Sequence, residues 1–364
     1  MSDPSVYTIA PSEVFVDALA RGILSQVGDA PEALARVRVL LPTRRACRSL
    51  REAFLRLSNG RPMLLPQMLP LGDVDEDDLT LEGADVDDAL NLPPAFGALK
   101  RQVLLATYVL KLDPDATPEH AVRLAGELAK LVDQVHTEGL DLARLPTLVK
   151  DEDLSEHWDK TVKFLAIVGE TWPQVLADEG ALDPAQRRDL LLRARAQAWA
   201  ANPPPGPVIA AGSTGSIPAT AELLRVIAHL PQGAVVLPGL DTHAPDVAWK
   251  HLDASHPQYG MAQLLETLDV VRAAVAPWPG SADTPSPRRA LMDLALVPAE
   301  ATTLWRDAEH DAQSLNALTR IECEGAREEA ATIAVILRSA LQDPDKHPGR
   351  TAALITPDRQ LARR

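Results

Sequence analysis

The residues best suited to chemistry in this chain are arginines. Residues 36–61 hold eight of them (Arg36, Arg38, Arg44, Arg45, Arg48, Arg51, Arg56 and Arg61) against one acid, Glu52. Guanidinium forks match the paired oxygens of a phosphodiester. Thr43 and Arg44 stand just past the apolar, β-branched run Val37–Leu41, at the start of the next helix. In open α/β sheets ligands bind at that carboxyl edge of the strands, where a hydroxyl, helix N-terminal N–H groups and cations converge on an anion. Thr43, Arg44, Arg45 and Arg48 are therefore the expected backbone-contacting edge of a nucleic-acid site. A solvated helix face predicts the same arginines. The chain as a whole carries −15, which opposes phosphate binding, but a local excess of seven positive charges outweighs the global sum at a contact face. Residues 73–88, with nine acids and no base, hold the opposite charge.

Nucleotide chemistry is poorly provided for. A Walker A loop needs Gly-x-x-x-x-Gly-Lys-Ser/Thr between the first strand and its helix, and none of the 19 glycines is followed by Lys. The first strand leads instead into Ala10-Pro11-Ser12-Glu13, and Pro11 removes a donor N–H. A second strand-to-helix loop, Gly212-Ser213-Thr214-Gly215-Ser216, has the geometry to cradle an anion but lacks a lysine. It leaves open a nucleotide-binding enzyme that uses Gly212–Ser216, and tight turning explains its glycines equally well. Asp241, His243, Asp246, His251, Asp253 and His256 crowd one polar window, in no spacing that matches a metal motif. Asp75-Glu76-Asp77-Asp78 reads as a solvated acidic loop rather than a Mg²⁺ site. Cys47 and Cys323 are the only cysteines. They support no disulfide framework and no four-cysteine metal site, and Cys47 lies on the apolar face of its helix. No metal and no cofactor is expected.

The elements that must position these residues follow from periodicity. Val6–Ile9 reads as a strand, Glu13–Gln26 as a helix, Val37–Leu41 as a strand, and Pro42-Thr43 as the cap of a helix running to Leu57 with Cys47, Leu50, Phe54 and Leu57 on one face. A short strand covers Met63–Leu65. The β-α-β-α order with short loops predicts a parallel sheet. Residues 72–91 are acidic and loop-like. From about Pro94 to Ala201 the pattern is helical only, over Phe96–Leu112, Pro118–Glu138, Leu154–Asp178 and Pro184–Ala200. After the stiff run 202–207, rich in proline, come strand Val208–Ala211, helix Pro218–Leu230 and strand Ala234–Leu237. Residues 241–260 read as polar loop. A further β-α-β unit is expected from Leu318–Cys323, Ala326–Leu341 and Thr351–Ile355. It breaks off at Arg364, so the chain reads as the N-terminal part of a longer protein. With 46% hydrophobic residues the core is ample. No apolar run is long enough to span a bilayer and the N-terminus has no signal-peptide pattern, so no membrane association and a reducing, cytoplasmic setting are expected.

Several stretches together resemble a known family: Val37-Arg38-Val39-Leu40-Leu41-Pro42-Thr43-Arg44-Arg45; Leu64-Leu65-Pro66-Gln67-Met68-Leu69-Pro70-Leu71-Gly72-Asp73; Ala211-Gly212-Ser213-Thr214-Gly215-Ser216-Ile217-Pro218; and Thr351-Ala352-Ala353-Leu354-Ile355-Thr356-Pro357-Asp358-Arg359. In this order they are similar to the N-terminal part of the AddB family, the double-strand break repair subunits that partner AddA in bacterial helicase–nucleases. The resemblance implies a RecA-like (P-loop NTPase-like) α/β fold of superfamily 1 helicase type. Residues 1–82 and 203–300 would form the first RecA-like domain, 83–202 a helical insertion and 301–364 the start of a second such domain, with a nuclease domain further on. It implies an AddA-type partner in a heterodimer and DNA ends, single- or double-stranded, as the ligand. Where related helicases carry the Asp-Glu pair that holds Mg²⁺, this chain has Ala211 and Gly212, and the Walker A position is occupied by Ala10, Pro11 and Ser12. Some family members keep that loop; this chain departs from them. The resemblance thus implies a pseudo-helicase with no catalytic residue in this segment. It also ties the subunit to recognition of a recombination hotspot in single-stranded DNA, with Thr43, Arg44 and Gln67 in regions that would line the channel. The rival expectation is a partner-binding scaffold that holds no DNA.

Overall fold

The computed structural model describes residues 3–27, 31–71, 92–141, 161–162, 164–282, 284, 286–306, 308, 311–342 and 350–363. The chain divides into two compact units, residues 1–285 with 292–308, and residues 286–291 with 309–364.

The first unit is built on six parallel strands: β1 (Val6–Ile9), β2 (Arg38–Leu41), β3 (Gln67–Pro70), β4 (Val208–Ala211), β5 (Gly233–Pro238) and β6 (Ala276–Pro277), in the spatial order β3-β2-β4-β5-β1-β6. This is an α/β architecture compatible with Rossmann and RecA-like folds. The strands are short and apolar on both sides because both faces are covered, as parallel sheets require. Alternate residues serve two cores. Val6, Leu40, Val208, Ala210, Val235 and Leu237 pack on one face. Ile9, Val39, Leu41, Ile209, Ala211, Ala234 and Val236 pack on the other. The connections β1→β2→β3 run one way along the sheet and put α1 (Phe15–Val27), α2 (Pro31–Ala35) and α3 (Arg44–Leu57) on the second face. The later connections run the other way and put their helices on the first face, which is what right-handed crossovers demand.

On the α1 face the closing contact is Trp278, fully buried just past β6. Its indole N–H donates to the Leu19 carbonyl (3.3 Å), and its ring meets Tyr7 edge to face at 5.3 Å. That approach requires Gly22 in the middle of α1: a Cβ there would lie 1.9 Å from Trp278 Nε1 and 2.6 Å from the Pro279 carbonyl oxygen. A glycine that costs helix propensity is retained for close packing.

Between β3 and β4 the described elements are helices, with one isolated parallel bridge between Ala95 and Leu182: α4 (Ala98–Leu112), α5 (Pro118–Thr137), a π-helical turn at Ile167–Thr171 running into α6 (Trp172–Asp178), and α7 (Pro184–Ala201). The first three have their own core, with Phe96, Leu105, Val109, Leu128, Val132 and Trp172. α7 differs, because Leu192, Ala196 and Trp199 belong to the sheet's core. Asp183, the residue before α7, ties these helices together. It is fully buried, and its carboxylate accepts from Trp172 Nε1 (2.9 Å) and lies 3.2 Å from Arg101 Nε and 3.4 Å from His136 Nε2. Arg101 reaches on to Asp133 (2.8 Å) and the Ala129 carbonyl (2.7 Å).

Several sequence expectations are corrected. The strand expected at Met63–Leu65 is displaced to Gln67–Pro70, where the register with β2 pairs Arg38 with Gln67. The window 241–260 is not all loop: α8 (Pro218–His229) and β5 are followed by α9 (Asp246–Lys250) and α10 (Tyr259–Leu268), with Met261, Leu264 and Leu265 of α10 buried on the sheet. In the second unit, helix α12 (Ala326–Leu341; α11 is Pro287–Ala295) forms as expected, but residues 318–323 and 351–355 are not strands. A strand exists only through a ladder partner, and Ile321 and Ile355, exposed by 51% and 95%, find none among the described residues. The expected acidic loop, residues 72–91, and the first part of the Leu154–Asp178 helix lie outside the described residues. No described helix is long and apolar enough to cross a membrane.

This packing sets the stability of two variants. Gly22→Ala should cost about 1–3 kcal/mol, because the added methyl overpacks a site closed by an indole and a backbone carbonyl; a melting temperature within about 1 °C of the parent's would show that Trp278 moves freely aside. Asp183→Ala leaves the Arg101 guanidinium buried without its central counter-charge and should cost about 3–5 kcal/mol, read as a lower urea midpoint with an unchanged m-value.

Candidate nucleic-acid interface

The carboxyl edge of the sheet is built from the exits of β1, β2, β4 and β5. At β1, five residues, 10–14, lead to α1, and they hold neither the glycine nor the lysine of a phosphate-wrapping loop. The aromatic ring of Phe15, in the first turn of α1, stands at this edge instead. A Cβ placed on Gly212 would lie 3.3 Å from Phe15 Cε1 and 3.6 Å from Pro42 Cδ. Ring and pyrrolidine thus lie close against the Gly212 backbone at the exit of β4. Glu13 adds a negative charge beside the α1 N-terminus. Its carboxylate pairs with Arg21 (2.5 Å) and accepts from Ser281 Oγ (2.7 Å) and the Ala282 N–H (2.7 Å).

Five backbone donors along this edge are engaged within the protein. The Gly212 N–H donates to Val236 O (3.0 Å) and the Gly239 N–H to Ile9 O (2.9 Å). Leu240 N–H donates to Thr8 Oγ1 (3.0 Å), Asp241 N–H to Gln258 Oε1 (3.0 Å) and Gly215 N–H to Ser213 Oγ (3.2 Å). Both glycines of the 212–216 loop have positive φ, 77° and 62°, and at Gly215 a side chain would meet Leu264 Cδ1 at 2.6 Å. Turn conformation and packing against α10 explain them. Pro218 opens α8 without a donor N–H.

The exit of β2 is different. Thr43, in extended conformation (φ −144°, ψ 159°), caps α3: its Oγ1 accepts from the Ala46 N–H at 3.1 Å. The hydroxyl proton remains able to donate. The inner face of α3 (Cys47, Leu50, Ala53 and Phe54) is buried against the sheet, so Arg44, Arg45, Arg48 and Arg51 point to solvent. Arg56, further along, pairs with Asp17 of α1 (2.5 Å). Four guanidinium groups and a capping hydroxyl therefore share one exposed face, beside the positive end of a helix dipole.

Gln67 is not part of that face. It begins β3, in register with Arg38 at the amino edge of the sheet. Its neighbour Met68 packs into the core beneath α3, so the Gln67 side chain emerges on the opposite face, where Oε1 accepts from Arg38 Nε (3.3 Å). The histidine–aspartate window does not converge either: among the described residues no three His, Cys, Asp or Glu side chains form a metal-holding group. Asp241 accepts from the His243 N–H (2.9 Å), and Asp246 pairs with Arg272 (2.8 Å). Asp253 is held below the usual carboxylate range, chiefly by the Ser255 hydroxyl it accepts from (2.5 Å). His256 Nδ1 accepts from the Gln258 N–H, leaving Nε2 to donate to Leu296 O (2.9 Å). The acidic run Asp75–Asp78 lies outside the described residues. Sequence reasoning missed Phe15 and Glu13; the signal was an aromatic in the first turn of α1, where a phosphate loop would put its lysine.

No protein-family model and no curated protein matches this chain.

With neither glycine nor lysine at the exit of β1 to hold a phosphate, Mg-ATP and Mg-ADP at millimolar concentration should leave the melting temperature within about 1 °C of the nucleotide-free value. A saturable rise of several degrees would show a bound nucleotide and sink this expectation.

Proposed function

We propose that this chain is a non-motor, RecA-like subunit of a DNA double-strand break repair machine, which binds and guides single-stranded DNA through the arginine face of α3. The observation that carries the reading is the exposed set Arg44, Arg45 and Arg48 beside the capping hydroxyl of Thr43, at the carboxyl end of a parallel strand. The lack of a phosphate-loop glycine and lysine at β1 supports a subunit in which the fold serves as a scaffold rather than an ATPase. The similarity to the AddB family supplies the context: a first RecA-like domain of superfamily 1 type over 1–82 and 203–300, an insertion over 83–202, and an AddA-type partner that does the motor work. Nuclease chemistry would belong to residues beyond this segment.

The test is salt-dependent binding to a single-stranded oligonucleotide. Replacing Arg44 and Arg45 together by Ala should weaken binding and reduce the magnitude of the salt slope by about 0.7 for each phosphate no longer neutralised. Stability should change little, because isolated surface charges contribute about 0–1 kcal/mol. A double variant with the parent's affinity and slope would make Arg44 and Arg45 a surface ion-pair patch; a parent that binds no single-stranded DNA would favour the partner-binding scaffold, which the overall charge of −15 also suits.

A further inference from the structure

We propose that the helices between β3 and β4 hold a separate binding site, a pocket for a small protonated amine with an apolar body, of the aralkylamine class. It stands independently of the DNA-binding reading above.

The site is a cavity of about 420 Å³ between the C-terminal end of α5, the π-helical turn with α6, and the start of α7. Sites for small organic ligands run from about 300 to 1,000 Å³ and are apolar, with a few placed polar groups. Val132, Val168, Leu176 and Leu182 supply walls of this kind, with the Trp172 indole between them. The polar lining is His136, Asp141, Asp183 and Gln186.

These polar groups are held in place by the fold. The Trp172 N–H donates to the Ile167 carbonyl, five residues back, and so closes the π-helical turn. The same residue's indole Nε1 donates to Asp183 Oδ2 (2.9 Å), and His136 Nε2 lies 3.4 Å from that oxygen. A carboxylate at Nε2 favours the tautomer with its proton there, which leaves Nδ1 to accept from a ligand. The second oxygen, Oδ1, faces Arg101 Nε at 3.2 Å but accepts no hydrogen bond among the described residues, although Asp183 is fully buried. The floor of the cavity is thus a buried carboxylate short of donors.

Charge selects the ligand. Arg101 is one cation between two carboxylates, Asp183 and Asp133 (2.8 Å). Asp141, exposed at the mouth, brings another negative charge. None of the described lining residues is Lys or Arg. A carboxylate or phosphate entering here would meet acids alone, whereas a cation is what this potential attracts. An ammonium group has the donors that His136 Nδ1 and the Asp141 carboxylate can accept. The walls require the rest of the molecule to be aromatic or hydrocarbon. A nucleic-acid strand meets neither requirement, so the ligand of this cavity differs from that of α3.

The experiment titrates the full chain calorimetrically with three probes of nearly equal shape: phenethylamine, phenethyl alcohol and phenylacetate. The amine should bind at a single site, about tenfold more tightly than the alcohol, the factor a hydrogen bond to a charged group supplies. Phenylacetate should bind more weakly than either. Asp141→Asn and His136→Gln should each reduce amine affinity by about threefold or more while leaving the alcohol within about twofold of the parent. Ala177→Phe, at an exposed position of α6 on the cavity wall, should weaken amine and alcohol alike, and thermal melting checks that each variant is folded. Alcohol or phenylacetate binding as tight as the amine's would overturn the proposal, as would amine affinity unchanged in all three variants. So would the lack of saturable amine binding below about 10 mM, the weak limit for a molecule of this size. Arg44→Ala/Arg45→Ala should bind the amine like the parent; a loss there would place the amine elsewhere and overturn the assignment, whereas a failure of DNA binding alone leaves it standing.

Discussion

The constraint on which the first unit depends is that a parallel sheet must be covered on both faces. Its strands are four to six residues long except for β6 and cannot hold an exposed face in water. Every other side chain therefore needs a helix above it and the rest need one below. The reversal of direction along the sheet is how one chain supplies both layers: the early connections run one way, the remainder the other. The cost appears as local specialisation. Gly22 admits the Trp278 indole to the α1 layer, and α7 is shared between the sheet's core and the helices that precede it.

The same constraint shapes the chemistry. Closing two layers over a short sheet draws the loops at its carboxyl edge inward, and their N–H groups become structural. Val236, Ile9, Thr8 and Gln258 accept bonds from Gly212, Gly239, Leu240 and Asp241 at the exits of β4 and β5. Phe15 lies against Gly212 at the same edge. What remains outward is the helix after β2, whose inner face is apolar and whose outer face is cationic. That outer face is the convex surface of a helix. A convex cationic face makes many weak, screened contacts with a long polyanion and few with a small one.

The helical residues between β3 and β4 obey a different rule. Asp183 is the most deeply buried of their charges, and it lies against Arg101 while accepting from the Trp172 indole. Asp183 precedes α7 in extended conformation, yet its side chain makes no cap bond to that helix; it reaches into the neighbouring layer instead. A sequence rule for caps places this aspartate correctly and misses its role, because the role depends on three other segments.

Residue order alone was enough for whatever depends on neighbours within a few positions. Thr43 as a cap, the buried Cys47–Leu50–Phe54 stripe, the outward arginines, the parallel α/β class and the lack of a phosphate loop were all legible, since caps, turns and 3.6-residue periodicity are short-range. Only the tertiary structure decided which strand lies beside which, and with it the separation of Gln67 from Thr43, a matter of register and of alternation between faces. It also decided that Phe15 lies against Gly212, that α10 and not loop covers the sheet, and that Leu318–Cys323 and Thr351–Ile355, apolar enough for strands, remain unpaired among the described residues. A β-strand is a property of two segments. The sequence of one segment states a propensity, and the hydrogen bonds that realise it come from a partner elsewhere in space.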